Sequence, residues 1–229
     1  SWAKQHAAAI IEAWYPGQAG GLAIANVIAG KANPAGRLPL TFYRSVADLP
    51  SFHDYDMKGR TYRYFDGTPV YPFGYGLSYS TFEYDPLQIE AVDGAPEHGL
   101  RVTTLVRNTS DRVGEEVAQL YLDPPPFDGA PRLALRGFQR VELQRGERRA
   151  ISFELSPRDL SFVTREGVRQ IFAGEHHVSV GSGQPGTNVP VQTATFVTMR
   201  EVPIRECARC EPAGSSGGRI HRRPRRAAV

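Results

Sequence analysis

The sequence predicts an α/β fragment followed by an all-β sandwich, and three observations carry that reading. Residues 8–42 hold an apolar run, a helical repeat and a second apolar run, each separated by turn residues. From about residue 87 the pattern changes to short alternating runs broken by turns. The composition, 41% hydrophobic and 22% charged over 229 residues, is that of a globular chain of one or two domains.

The first run, Ala8–Tyr15, has the length of a buried strand. Pro16-Gly17-Gln18-Ala19-Gly20-Gly21 ends it with turn chemistry. Leu22, Ala25, Ile28 and Ala29 then recur at helical spacing, which predicts an amphipathic helix ending near Gly30. Asn33-Pro34-Ala35-Gly36 is a second turn, and Leu38–Phe42 reads as another strand. Parallel strands joined by a helix need neighbouring strands and cover on both faces. One such unit cannot bury its own sheet, so the rest of the sheet is expected on polypeptide outside this sequence.

Residues 43–86 carry twelve Tyr and Phe residues among Pro, Gly and Asp, with no sustained period. A long aromatic loop is either functional or a packed connector. Beyond it, Leu100–Val106, Glu116–Leu122, Leu135–Leu143, Ala150–Leu155 and His177–Val180 are expected strands. Asn108-Thr109-Ser110-Asp111, Asp123-Pro124-Pro125-Pro126, Arg145-Gly146-Glu147 and Ser156-Pro157 supply turns between them. Strands at this spacing predict an antiparallel sandwich. The expected organisation is therefore 1–42 α/β end, 43–86 aromatic connector, 87–200 sandwich and 201–229 a basic, disordered tail.

The formal charge of +3 belongs to that tail, which holds seven Arg against three Glu. The body is close to neutral, so no nucleic-acid footprint is expected on it. Few apolar side chains in the tail leave its ordering entropy uncompensated. No apolar run approaches the ~20 residues of a membrane span. Cys207 and Cys210 both lie in the tail, so the body relies on packing without disulfides.

Two long stretches resemble the C-terminal half of glycoside hydrolase family 3, the β-glucosidase and β-xylosidase family. One runs from Glu12-Ala13-Trp14-Tyr15-Pro16-Gly17-Gln18-Ala19-Gly20-Gly21 through Asn33–Phe42 to Gly59-Arg60-Thr61-Tyr62-Arg63-Tyr64-Phe65 and Tyr71–Tyr79. The other includes Glu116–Leu122, Leu135–Val141 and Asp159-Leu160-Ser161. The resemblance implies a TIM-like barrel, an α/β sandwich domain of which this chain holds the end, and a fibronectin-III-like (immunoglobulin-like) sandwich. It further implies retaining, exo-acting hydrolysis by an Asp nucleophile on the barrel and an acid/base carboxylate from the α/β domain. The usual Ser-Asp-Trp or Thr-Asp-Trp nucleophile motif is absent from this sequence, and the acid/base segment normally precedes the stretch matching Ala8 to Gly21. No residue of this chain inherits either catalytic role. The implied partners are a β-linked oligosaccharide and the N-terminal barrel. No cofactor is implied, and the implied setting is periplasm or cell exterior.

Tested residue by residue, the chemistry is sparse. A retaining dyad needs two carboxylates about 5–5.5 Å apart, and the loop candidates Asp54, Asp56 and Asp66 read better as capping or solvated groups. Arg60, Tyr62, Arg63 and Tyr64 are the substrate-proximal candidates, since a guanidinium fork binds hydroxyls and an aromatic face stacks on a pyranose. The competing reading makes them a domain interface. Gly17, Gly20 and Gly21 lack phosphate-loop spacing and read as turn glycines. Cys207, Cys210 and His221 give three ligands where a closed zinc site wants four, so no metal site is expected. His176 and His177 face opposite sides of a strand. His176 also stands where a Tyr is common in the family, which is expected to weaken one packing contact.

Overall fold

The computed structural model describes residues 2–204. Eleven strands dominate these residues, and most of them build two sheets packed face to face. In the first sheet, β3 (Leu100–Asn108) pairs along one edge with β1 (Phe82–Tyr84) and β2 (Gln88–Ala91), and along the other with β6 (Arg148–Leu155). β1 covers the Val106–Asn108 end of β3 and β2 the Leu100–Thr103 end, so the two short strands share one edge. The second sheet has the order β10-β9-β4-β5, formed by Val191–Thr198, Gly174–Gly181, Gly114–Asp123 and Ala134–Leu143. Every pairing is antiparallel.

The alternation in the sequence decides which side chains meet between the sheets. Along β3, Leu100, Val102, Thr104, Val106 and Asn108 are buried while Arg101, Leu105 and Arg107 are exposed. Along β6, Ile151, Phe153 and Leu155 point the same way. They meet Ala118, Leu120, Leu122, Val178 and Val180 from the opposite sheet. Full burial of side chains of this size contributes roughly 1.5–3 kcal/mol each. Asn108 is the polar exception and fixes the turn after β3. Its Nδ2 donates to the Arg112 and Leu143 carbonyls at 2.8 and 3.0 Å, and its Oδ1 accepts from the Ser110 amide at 2.9 Å.

A small third sheet closes one end of the sandwich. It joins β7 (Phe162–Val163), β8 (Arg169–Ile171) and β11 (Val202–Pro203) after the one-turn helix α4 (Pro157–Leu160). Phe127 stacks on Phe172 there at 3.8 Å. The boundaries thus differ from the expected ones at both ends: β1 lies inside the stretch read as connector, and β11 inside the stretch read as tail. The remainder of the basic tail, with Cys207, Cys210 and His221, lies outside the described residues.

The N-terminal part departs further from expectation. It holds α1 (Trp2–His6), α2 (Gly20–Ile28) and α3 (Thr61–Tyr64). The predicted helix is present as α2. Of the two predicted flanking strands, Ala8–Tyr15 is irregular and almost wholly exposed, and Leu38–Phe42 forms only a single bridge, Phe42 to Tyr71. A strand needs a hydrogen-bonding neighbour, and no described residue pairs its backbone with Ala8–Tyr15. Pro39 and Pro72 remove amide donors from the other pair, which limits its ladder.

Candidate functional site at the connector–sandwich junction

The aromatic connector packs on the outer face of the second sheet. Alternation along β4 would leave Gln119 and Tyr121 facing water, yet their exposures are 3% and 1%. The connector covers them. Gln119 Nε2 donates to the Gly74 and Ser182 carbonyls, both at 3.0 Å, and Tyr121 Oη donates to Gln119 Oε1 at 2.6 Å. Gly74 sits at φ +77°, where its backbone approaches so closely that a Cβ would lie 2.6 Å from Tyr121 Oη. Gln184 Nε2 holds the neighbouring Phe73 carbonyl at 2.7 Å.

A second tie passes between the sheets. Glu116 stands at an inward-facing position of β4 with its side chain 0% exposed. It accepts from Arg37 Nη2 at 2.9 Å and from Tyr84 Oη at 2.8 Å. Arg37 Nε also donates to the Ser182 carbonyl at 3.2 Å. Burial first, and then the Glu116 carboxylate, push the Tyr84 phenol well above its ordinary value, so it remains a proton donor. Asn33 supplies a third tie. Its Nδ2 donates to Ser80 Oγ and the Val113 carbonyl, and its Oδ1 accepts from Ser78 Oγ and the Tyr79 amide.

The four candidate substrate-proximal residues cluster at α3, but their groups differ in availability. The Arg60 guanidinium is folded back on its own loop, donating to the carbonyls of Ser51, Asp54 and Asp56. Tyr62 stacks on Phe73 at 4.2 Å, meets Tyr121 edge-on, and accepts the Leu135 amide on its Oη at 3.0 Å. The half-buried Arg63 side chain makes no hydrogen bond or ion pair with the described residues, while its carbonyl accepts the Arg132 amide at 2.7 Å. Its charge bears on Arg136, whose guanidinium is lowered to about 10, first by burial and then by Arg63. Tyr64 is half-buried on the same turn. Thr61 opens this turn at φ +54°, a left-handed value that costs a β-branched residue about 1–3 kcal/mol. Its amide is held by Tyr43 Oη at 2.7 Å.

Pro39, Leu40, Thr41, Tyr43, Thr61, Tyr62 and Phe73 enclose a recess of about 220 Å³ beside this turn. The loop carboxylates do not form a dyad. Asp54 Oδ1 and Asp56 Oδ1 accept from the Asp56 and Lys58 amides, as capping groups do, and Asp66 lies 3.7 Å from Arg132. Among the described residues no group of three His, Cys, Asp or Glu could hold a metal ion, and no helix is long and apolar enough to cross a membrane. His176 is fully buried and stacked on Phe196 at 4.8 Å, with Nε2 at 2.9 Å from the Phe172 carbonyl. Its other ring nitrogen, Nδ1, is buried without a hydrogen-bond partner among the described residues.

Comparison with known proteins identifies this architecture. The model of the glycosyl hydrolase family 3 C-terminal domain matches residues 1–79, and that of the fibronectin type III-like domain matches residues 116–184. The chain belongs to glycosyl hydrolase family 3. It is 43% identical to a xylan 1,4-beta-xylosidase of Xylanibacter ruminicola, over 82% of this chain and 22% of that protein. It is 36% identical to a periplasmic beta-glucosidase of Salmonella typhimurium, over 77% of this chain and 25% of that protein. Among solved structures, beta-glucosidase 3B of Thermotoga neapolitana superposes with a TM-score of 0.74 at 33% identity, covering 85% of this chain and 29% of that one. This family 3 chain thus spans about a quarter of the length of its curated relatives and corresponds to their C-terminal portion.

Arg37, Gln119, Tyr121 and Arg132, which tie the two family regions together, carry no mark in the sequence that sets them apart. Glu116 at an inward position of an alternating strand is the one signal available. Nothing local points to Arg37 as its partner, 79 residues away.

Proposed function

We propose that this chain is the C-terminal portion of an exo-acting, retaining β-glycosidase of the β-glucosidase or β-xylosidase type. In this reading it closes the α/β domain, and the sandwich buttresses that domain from outside. The nucleophile and the acid/base carboxylate stand on residues outside this chain. The substrate is the terminal β-linked glucose or xylose of an oligosaccharide, and the partner is an N-terminal barrel. A periplasmic or extracellular setting agrees with the relative named a periplasmic beta-glucosidase.

The observation that carries this reading is the contrast between the two parts. The sandwich has a closed core, whereas Ile10, Ile11, Trp14, Tyr15, Leu22 and Ile28 are 48–99% exposed on the residues matched to the family's C-terminal domain. Large apolar side chains left this exposed in one region call for cover. Near the substrate we assign Arg63 and Tyr64, since the Arg60 guanidinium and the Tyr62 ring are engaged within the protein. The experiment is hydrolysis of aryl β-glucosides and β-xylosides by the purified chain and by a family 3 enzyme that includes it. The expected result is turnover only in the latter, with the Arg63→Ala variant raising KM. Turnover by this chain alone, abolished by a single Asp substitution within it, would overturn the reading.

A further inference from the structure

Residues 44–60 form a surface loop whose polarity is inverted. Its two ends meet where Tyr43 Oη accepts the Thr61 amide at 2.7 Å. Its polar groups turn inward. The guanidinium of the half-buried Arg60 donates to the carbonyls of Ser51, Asp54 and Asp56. Asp54 Oδ1 and Asp56 Oδ1 accept the Asp56 and Lys58 amides at 2.9 and 3.1 Å. Ser45 and Asp48 form a capping box at the start of the loop. The large apolar side chains turn outward: Val46, Phe52 and Tyr55 are 85–92% exposed, and Met57 is 46% exposed.

Two physical arguments make this a docking surface. Apolar side chains gathered in one exposed place mark a contact site, and Phe, Tyr and Met are enriched at protein interfaces. A loop closed at its ends and pinned from within has already lost the freedom that binding would otherwise remove. The Arg60 fork and one oxygen of each of Asp54 and Asp56 are spent inside the loop, so what faces out is mainly apolar. That suits an apolar protein surface better than a sugar, whose hydroxyls need placed polar partners.

Position and coverage name the occupant. The loop lies within residues 1–79, which match the model of the family's C-terminal domain. Its base adjoins the exposed apolar run of residues 10–28, because Trp14, 50% exposed, tilts against Phe42 at 6.5 Å, next to Tyr43. The chain covers 22% and 25% of two curated relatives, so the polypeptide completing such a protein is large enough to cover both surfaces. We propose that loop 44–60, pinned by Arg60, is a preformed plug that docks into an apolar depression of the N-terminal polypeptide of the same protein. This rests on the reading of the chain as a C-terminal portion. The test reads side-chain accessibility and not turnover, so the two fail separately.

The test is hydroxyl-radical footprinting with mass spectrometry, on the 229-residue chain and on the family 3 protein that includes it. With rates normalised to the urea-unfolded state, oxidation of Phe52, Tyr55 and Met57 is expected to be roughly tenfold slower in the longer protein, as docking excludes water. Phe52→Asp combined with Tyr55→Asp is expected to return Met57 of the longer protein to its rate in the isolated chain. The thermal midpoint of the isolated chain is expected to stay unchanged by that pair. Arg60→Met unpins the loop, and is expected to speed amide exchange at Asp54, Asp56 and Lys58 and to cut the protection in the longer protein severalfold. Equal oxidation in the two proteins, or protection undiminished by Arg60→Met, would overturn the proposal. So would protection in the isolated chain that grows with its own concentration, which makes a second copy the occupant. Protection of the isolated chain by added xylo- or cello-oligosaccharide would overturn it as well, in favour of a sugar site.

Discussion

Arg37 and Glu116 meet at 2.9 Å with side chains 8% and 0% exposed, so neither charge has water to fall back on. Replacing one of them leaves the other buried and unpaired, which costs about 3–5 kcal/mol. Arg37→Met is therefore expected to lower the urea midpoint of unfolding sharply. The double replacement by apolar side chains of similar size recovers most of that loss, because the cost lies in the unpaired charge and not in the missing pair. His176 makes the opposite kind of statement. Burial, against the pull of the Phe172 carbonyl, holds its imidazole below the ordinary value of 6.5. The folded chain keeps it neutral while the unfolded chain takes up a proton as pH falls through that value. Stability is then lost on the acid side. The gap between the wild type and His176→Phe is expected to narrow as pH falls from about 7.5 to about 5.5 in urea titrations. A gap independent of pH would show that His176 does not change its protonation on unfolding.

At the scale of elements, the connector is held by groups that a strand normally shows to solvent. Gly74→Ala tests this directly, because the residue sits at φ +77° and its new methyl would press on Gln119 and Tyr121. The expected loss is about 1–3 kcal/mol. Limited proteolysis is expected to cut faster between residues 43 and 80 while the strands of the sandwich remain resistant. The same junction shows what sequence pattern can and cannot reveal. β3, β4, β5, β6 and β9 were legible because alternation reports burial on one face. β1, β7, β8 and β11 are two or three residues long, too short for a period to show. The strand expected at Ala8–Tyr15 fails for a different reason: its apolar content is real, but a strand is a property of a pair, and its neighbour is not among the described residues. The docking of Gln119 and Tyr121 was illegible because only the docked connector distinguishes them from an ordinary solvent-facing pair.

For the whole molecule, the resemblance carried by Glu12–Gly21, Gly59–Phe65 and Glu116–Leu122 named the family whose C-terminal and fibronectin type III-like models match the chain. The candidate site was only partly legible. The four residues at α3 do gather in one place, but sequence could not show that the Arg60 fork is spent on three carbonyls of its own loop. The resulting molecule is one finished sandwich clasping an α/β end whose apolar side is bare. That side is expected to bind the dye ANS strongly in the isolated chain, and substitution of Trp14 and Tyr15 by Ser is expected to reduce the signal without lowering the unfolding midpoint of the sandwich.

Amide hydrogen exchange of the isolated chain weighs the two halves against each other most directly. Strands within 82–198 are expected to exchange only through global opening, whereas residues 2–30 exchange orders of magnitude faster through local fluctuations. Protection of residues 2–30 equal to that of the sandwich strands would mean that the α/β end is already complete, which contradicts an end that awaits cover from outside this chain.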